Sequence, residues 1–392
     1  MQIAYTPEQE TLRDELREYF AELMTPERRA GLAEGIESGG RQVYLDTIKQ
    51  LGTDGWLGIG WPTQYGGQDR TMMEQLIFSD EALTARIPLP FLTINTVGPT
   101  IMEFGTDEQK DFFLPRILRG EMHFAIGYSE PDAGTDLASL TTRAVRDGDE
   151  YVINGSKMWT SLIDSADYVW LAARTDPDAP KHKGITVFLV PTSAKGFSFT
   201  PVHTLSGATT SQTFYEDVRV PASAIVGGLN EGWRLVTGQL NRERVALCSP
   251  AGVQRALAET CDWAANTKLA DGSRLIDQQW VQANLGRVHA KVEFLKLINW
   301  KIAWGVTRGV SPADASATKV FGTEFATEAY RLLMECFGDE AFIRTDSPGA
   351  ILKGHIEQAY RGSLILTFGG GTNEIQRDII AMVGLGMPRA PR

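Results

Sequence analysis

From residue 7 to residue 25, apolar positions recur three and four places apart (Leu12, Leu16, Tyr19, Phe20, Leu23) among Glu and Arg. That spacing lines one face of a helix, and Thr6-Pro7 supplies its start. Residues 73–86 predict a second helix, brought to a stop by Pro88 and Pro90. Residues 91–105 predict a third, and 107–117 a fourth after a Thr106 cap. The run from Trp56 to Pro62, with Tyr65-Gly66-Gly67, is a Gly/Pro-broken loop to which only packing is assigned. At Phe124 the period changes. Residues 151–153, 168–174, 184–191, 197–201 and 213–220 are rich in β-branched and aromatic side chains and bounded by turns, and Asp147-Gly148-Asp149 marks a hairpin. After Gly232 the helical period returns and holds almost to the end. The order is therefore helix, sheet, helix, with boundaries expected at 1–120, 121–226 and 227–392 and long C-terminal helices that bundle.

Composition narrows the partners. With 43% hydrophobic and 22% charged residues over 392 positions, the chain can bury a large core. A net charge of −11 argues against nucleic acid and against an anionic membrane surface. No apolar run approaches the roughly 20 residues of a spanning helix, and Met1-Gln2-Ile3-Ala4-Tyr5 has no signal-peptide pattern. Cys248, Cys261 and Cys336 are few, odd in number and without metal-ligand spacing, so a reducing cytoplasm is expected and a metal site is not.

Three segments carry candidate chemistry. Gly127-Tyr128-Ser129-Glu130-Pro131-Asp132-Ala133-Gly134-Thr135-Asp136 combines a fixed and a permissive backbone with short hydroxyl and N–H donors. Such a loop can wrap a flat ligand or phosphates, and on its own it can equally be a plain turn. Lys157-Met158-Trp159-Thr160-Ser161 closes the strand that begins at Tyr151, and Gly369-Gly370-Gly371-Thr372-Asn373-Glu374-Ile375-Gln376-Arg377-Asp378-Ile379 lies near the C-terminus. In this order and at these separations, the three segments resemble the acyl-CoA dehydrogenase family, and the resemblance runs from Tyr5-Thr6-Pro7-Glu8 to Gly386.

That resemblance implies an α+β fold: an N-terminal helical domain, a central β-barrel-like domain and a C-terminal four-helix bundle, with FAD and an acyl-CoA held between loop and Trp strand. It places Tyr128 and Ser129 at the isoalloxazine, and Gly134 and Thr135 near the pyrophosphate and the CoA. Trp159 would cover one flavin face, although a tryptophan there could also be a core aromatic. Ser161 would bond near N5 and O4, and Thr372 and Glu374 would touch the nucleotide. Dehydrogenation between the α and β carbons needs a base for the α-proton and a hydride acceptor at flavin N5. Many members place the base immediately before the Gly-Thr of the last segment, where this chain has Gly370, which cannot take a proton. A second family solution puts a Glu on the helix after the β-domain. Here Val236, Leu240, Glu243 and Leu247 recur at helical spacing, so Glu243 falls in an apolar stripe. The pattern alone leaves open a base or a buried ion pair, with Arg244 or another residue; the resemblance favours the base. Arg244 resembles the family arginine beside substrate and base, though it could be a surface arginine, and Asn241 corresponds to a residue on the CoA side. Gly370 would still offer its N–H to the thioester carbonyl, and its lack of a side chain would make room for a wide acyl group.

Two motifs that the family's neighbouring subunit lends to each FAD are altered. They fall on Lys268-Leu269-Ala270-Asp271-Gly272 and Glu335-Cys336-Phe337-Gly338-Asp339, where a lysine replaces the phosphate-pairing arginine and three carboxylates would face a pyrophosphate. The implied partner is a second, non-identical subunit, as in the α2β2 acyl-CoA dehydrogenases of bacterial steroid side-chain degradation, with an electron-transfer flavoprotein as acceptor. Three alternatives remain: a homotetrameric branched- or medium-chain enzyme, a silent subunit that completes a partner's flavin site, and a flavin-dependent oxidase.

Overall fold

The computed structural model describes residues 3–35, 39–246, 248–305, 311–345 and 347–389, with side chains for all of these except 240–246. Six helices come first: α1 (Pro7–Leu23), α2 (Pro26–Ala33), α3 (Arg41–Thr53), α4 (Met72–Thr84), α5 (Gly98–Phe104) and α6 (Asp107–Leu118). The periodicity of α1 is realised as predicted, with Leu12, Leu16, Phe20 and Leu23 buried and a capping box between Thr6 and Gln9. The same box, Thr106 with Gln109, starts α6. The predicted 91–105 helix contains a π-helical stretch, Thr93–Val97, ahead of α5. Its physical reason is local: Pro99 has no N–H to donate, and the Thr96 and Thr100 hydroxyls bond back to the Leu92 and Thr96 carbonyls, so the helix widens there.

Eight strands follow: β1 (Phe124–Gly127), β2 (Arg143–Asp147), β3 (Glu150–Lys157), β4 (Tyr168–Arg174), β5 (Ile185–Pro191), β6 (Phe197–His203), β7 (Thr209–Pro221) and β8 (Ile225–Val226). They form one mixed sheet, in the order β6-β7-β3-β2-β4-β5-β8, with β1 parallel to β4. The predicted hairpin is present, with Asp147 opposite Glu150. Alternation along β4 feeds two cores. Trp170 and Ala172 join the N-terminal helices, whereas Val169, Leu171 and Ala173 pack inside the sheet. Tyr151 of β3 lies against Phe188 of β5, with ring centroids 5.3 Å apart, although two strands intervene in the sheet order. The sheet therefore curls on itself.

The chain then returns to helix: α7 (Gly232–Ala246), α8 (Ala251–Asn266), α9 (Gln279–Gly305), α10 (Pro312–Glu335), α11 (His355–Ser363) and α12 (Asn373–Ile379). α10 packs on α7, α8, α9, α11 and α12. Leu235 and Val236 on the first turns of α7 belong to the same core as Trp170, so α7 rests on the sheet as well as on the bundle. Among the described residues, no helix is long and apolar enough to cross a membrane, and no cluster of His, Cys, Asp and Glu could hold a metal ion.

Candidate active site

The loop that leaves β1 and the segment that ends β3 are built as one unit. In the loop, Glu130 and Ala133 exchange main-chain hydrogen bonds of 3.0 and 3.1 Å, which closes a tight turn around Pro131. The Met158 N–H donates to the Ser129 carbonyl at 2.8 Å, and the Lys157 ammonium donates to the Tyr128 carbonyl at 3.0 Å. Lys157 is fully buried, and its second bond, 2.8 Å long, goes to Glu130 Oε1. The Glu130 carboxylate also accepts from the Thr141 and Thr142 N–H groups (2.7 and 2.8 Å) and from the Thr141 hydroxyl (2.8 Å). Burial alone would raise the Glu130 carboxyl, but the Lys157 charge and these donors outweigh it and hold it down at about 2. Burial pulls the Lys157 ammonium down to about 8 against the pull of Glu130, which leaves it charged at neutral pH. The loop thus stands on a buried ion pair whose hydrogen bonds are nearly all made.

Past Lys157 the chain turns outward. Trp159 has left-handed backbone, with φ +67°, and the residue is 57% exposed. That conformation costs an L-residue roughly 1–2 kcal/mol, and an exposed indole returns little of it. The flanks hold it in place. Thr160, fully buried, donates its N–H to the Ser211 carbonyl at 2.9 Å, and the Ser161 and Thr210 hydroxyls pair at 3.1 Å. In the loop, Gly134, Thr135 and Asp136 are exposed, and a Cβ added at Gly134 would meet no atom within 4 Å. A rigid floor, a projecting aromatic and an open glycine edge suit a flat ring system that carries phosphates. The exposure of Trp159 also decides against a core aromatic.

Tyr128 is placed differently from its neighbours. Its side chain is buried, and its hydroxyl accepts from Trp170 Nε1 of β4 at 2.9 Å and donates to Gln239 Oε1 of α7. Only the main chain of Tyr128 is therefore turned to the loop. On α7, Leu235, Val236 and Gln239 form the inward face, and the helical repeat brings position 243 to the same face. The side chains of Asn241, Glu243 and Arg244 lie outside the described residues.

The glycine segment is held from α10. Gly370 and Gly371 have φ of +68° and +96°, which only glycine adopts readily. The buried Lys319 ammonium donates to the Gly371 carbonyl and to Asn373 Oδ1, each at 2.8 Å. Thr372 caps α12 by accepting from the Ile375 N–H, and Glu374 is exposed in its first turn. α10, packed on both α7 and α12, links this segment to the helix that carries position 243. The altered neighbour motifs have their own occupations. Asp271 closes a turn onto the Ser273 N–H and hydroxyl (2.9 and 2.7 Å), and Glu335 accepts from Asn284 Nδ2 at 3.0 Å.

Comparison with known proteins agrees with this construction. Models of the acyl-CoA dehydrogenase N-terminal, middle and C-terminal domains match residues 6–121, 125–218 and 230–385. Acyl-CoA dehydrogenase FadE26 of Mycobacterium tuberculosis is 64% identical over 401 residues, covering 100% of both chains. The chain belongs to the acyl-CoA dehydrogenase family. It is accordingly an oxidoreductase acting on CH–CH donors, in a family of flavoproteins. Among solved structures, a chain of the ChsE4–ChsE5 complex from Mycobacterium tuberculosis is similar at a TM-score of 0.94 and 65% identity, with 100% of each chain covered. A chain of the Tcur3481–Tcur3483 steroid acyl-CoA dehydrogenase is similar at 0.93 and 48%, again over 100% of each.

Four residues that sequence reasoning did not single out support these segments: Glu130, Lys157, Gln239 and Lys319. Lys157 had a signal, since it keeps the parity of Tyr151 and Ile153 and so falls on the inner side of its strand. Gln239 lies three residues after Val236 on the apolar face of α7, a polar residue where the stripe predicts an apolar one.

Proposed function

We propose that this chain is the base-bearing subunit of an α2β2 enzyme that introduces a trans-2,3 double bond into a steroid side-chain acyl-CoA. FAD is its cofactor and an electron-transfer flavoprotein its acceptor. The observation that carries this reading is the unit formed by residues 128–136 and 157–161, a fixed floor from which a strained, exposed Trp159 projects. Bound FAD would supply the acceptor for the hydrogen that leaves the β-carbon. The chain's own residues do the rest. Glu243 takes the α-proton, and Arg244 holds that carboxylate and, with Asn241, the CoA side of the substrate. The Gly370 N–H donates to the thioester carbonyl as negative charge develops on it. Ser161, oriented by Thr210, bonds at the polar edge of the ring, and Trp159 covers one ring face. The main chain of Tyr128 and Ser129 lines the ring, Gly134 and Thr135 face the pyrophosphate and the CoA, and Thr372 and Glu374 reach the nucleotide.

Two things support the heteromer and the steroid. Similar structures are of a ChsE4–ChsE5 complex and a Tcur3481–Tcur3483 steroid acyl-CoA dehydrogenase. By the resemblance, Asp271 and Glu335 fall in the motifs that would meet a neighbour's pyrophosphate, which a carboxylate repels. The test is Glu243→Gln in the coexpressed complex. Wild-type FAD content with flavin no longer reduced by cholanoyl-CoA is the expected result; turnover near wild type would remove Glu243 from the mechanism.

A further inference from the structure

Trp170, Tyr128 and Gln239 come from three elements and are all buried, at 0%, 8% and 1% exposure. Their hydrogen bonds run in one direction. The indole nitrogen of Trp170 donates to the Tyr128 oxygen, and the Tyr128 hydroxyl donates to Gln239 Oε1. With Oε1 turned to Tyr128, Nε2 is left buried without a hydrogen-bond partner among the described residues. A buried donor left unsatisfied costs about 1–3 kcal/mol, and a leucine at 239 would avoid that while filling the space. Packing alone therefore does not account for a glutamine here.

The position of the chain of bonds suggests what does. Trp170 sits in β4, next to β1, whose last residue precedes Tyr128. Tyr128 begins the loop that Lys157 and Met158 brace under Trp159. Gln239 is on α7, one helical turn before position 243. We infer that Gln239 is a positioning residue: with Tyr128 and Trp170 it locks α7 to the wall formed by residues 127–129, and so fixes the separation between the proton-abstracting and the hydride-accepting sides of the site. The inference rests on the function proposed above. Its physical basis is that two-centre chemistry of this kind depends steeply on the distance between the centres, and the other described α7 side chains that share a core with the sheet, Leu235 and Val236, are apolar and do not fix a register.

The test compares Tyr128→Phe, Gln239→Leu, the double variant and Glu243→Gln with wild type, each in the coexpressed holoenzyme. Flavin reduction is followed anaerobically in single turnovers with cholanoyl-CoA, and in parallel with octanoyl-CoA, so that a wrong acyl class is not mistaken for a wrong residue. Tyr128→Phe removes one oxygen atom and retains the ring, which keeps the test open if Gln239→Leu folds poorly. The expected result is wild-type FAD content, KM within about twofold, and a reduction rate lowered about tenfold or more. The double variant should be no slower than the slower single one, because both break the same chain of bonds. Unchanged rates, losses that only follow FAD content, or effects that multiply in the double variant would overturn the inference. An active Glu243→Gln would instead refute the proposed base, and a wild-type flavin reduced by neither thioester would refute the proposed function.

Discussion

Replacing Lys157 by methionine keeps an unbranched apolar stem, one atom shorter, in the same buried place and removes one charge. What remains is Glu130, 6% exposed, with its N–H and hydroxyl donors from Thr141 and Thr142 but no cation, and a Tyr128 carbonyl that has lost its Lys157 donor. Breaking a buried pair from one side costs about 3–5 kcal/mol, because the other charge is stranded. Glu130→Gln strands Lys157 in the same way and should cost a similar amount. The double variant leaves two neutral side chains of nearly native shape. Its loss should fall short of the sum of the single losses by about 2–3 kcal/mol. The assay is urea unfolding of the coexpressed holoenzyme, with FAD retention measured on the same samples. Lys157→Met should also shed FAD, since the loop that carries Ser129 and the strand that carries Trp159 are joined at this point. A Lys157→Met protein within about 1 kcal/mol of wild type, with normal FAD content and additive energetics, would show that the pair braces nothing.

Trp159→Gly should weaken FAD binding strongly at little cost to the apoprotein, because glycine relieves a left-handed conformation worth roughly 1–2 kcal/mol; calorimetry with and without FAD reads both effects. Gly370→Ala forces a side chain onto φ +68°, at about 1–2 kcal/mol, and narrows the acyl side of the site. Steady-state kinetics should show a greater loss with cholanoyl-CoA than with octanoyl-CoA. Acid should act through Glu130. Its folded carboxyl titrates at about 2 against an ordinary 4.5, so its stabilisation is present above 4.5 and is lost as pH falls from 4.5 towards 2. Glu130→Gln should flatten the acid-unfolding curve over that interval.

Elements that bury one face or are buried throughout were legible in the sequence. Residues 168–174 form β4 as predicted, because their apolar run feeds two cores at once. The strand that begins at Tyr151 does run to Lys157, and Gly155, at φ +146°, absorbs a bulge on the way. The extension of β7 was not legible. The start of β7 is a polar run whose Thr210 and Thr213 hydroxyls pair with Ser161 and Thr160, partners that no periodicity reveals. The site divides in the same manner. The order and spacing of the three segments pointed to Trp159 and the Gly134 edge, both open in the structure. The supports beneath them are long-range pairs, with Tyr128 and Gln239 being 111 residues apart. Tyr128 itself shows the limit, since its phenol turns into the core and leaves only its main chain for a ligand.

The central claim is that this chain needs an unlike partner to hold flavin. The measurement is the mass and FAD content of the chain expressed alone and with candidate partners encoded beside it. A flavin-poor lone chain, and a coexpressed tetramer with one FAD for every two chains, is the predicted result. A lone chain that forms a yellow homotetramer with one FAD per chain would contradict it.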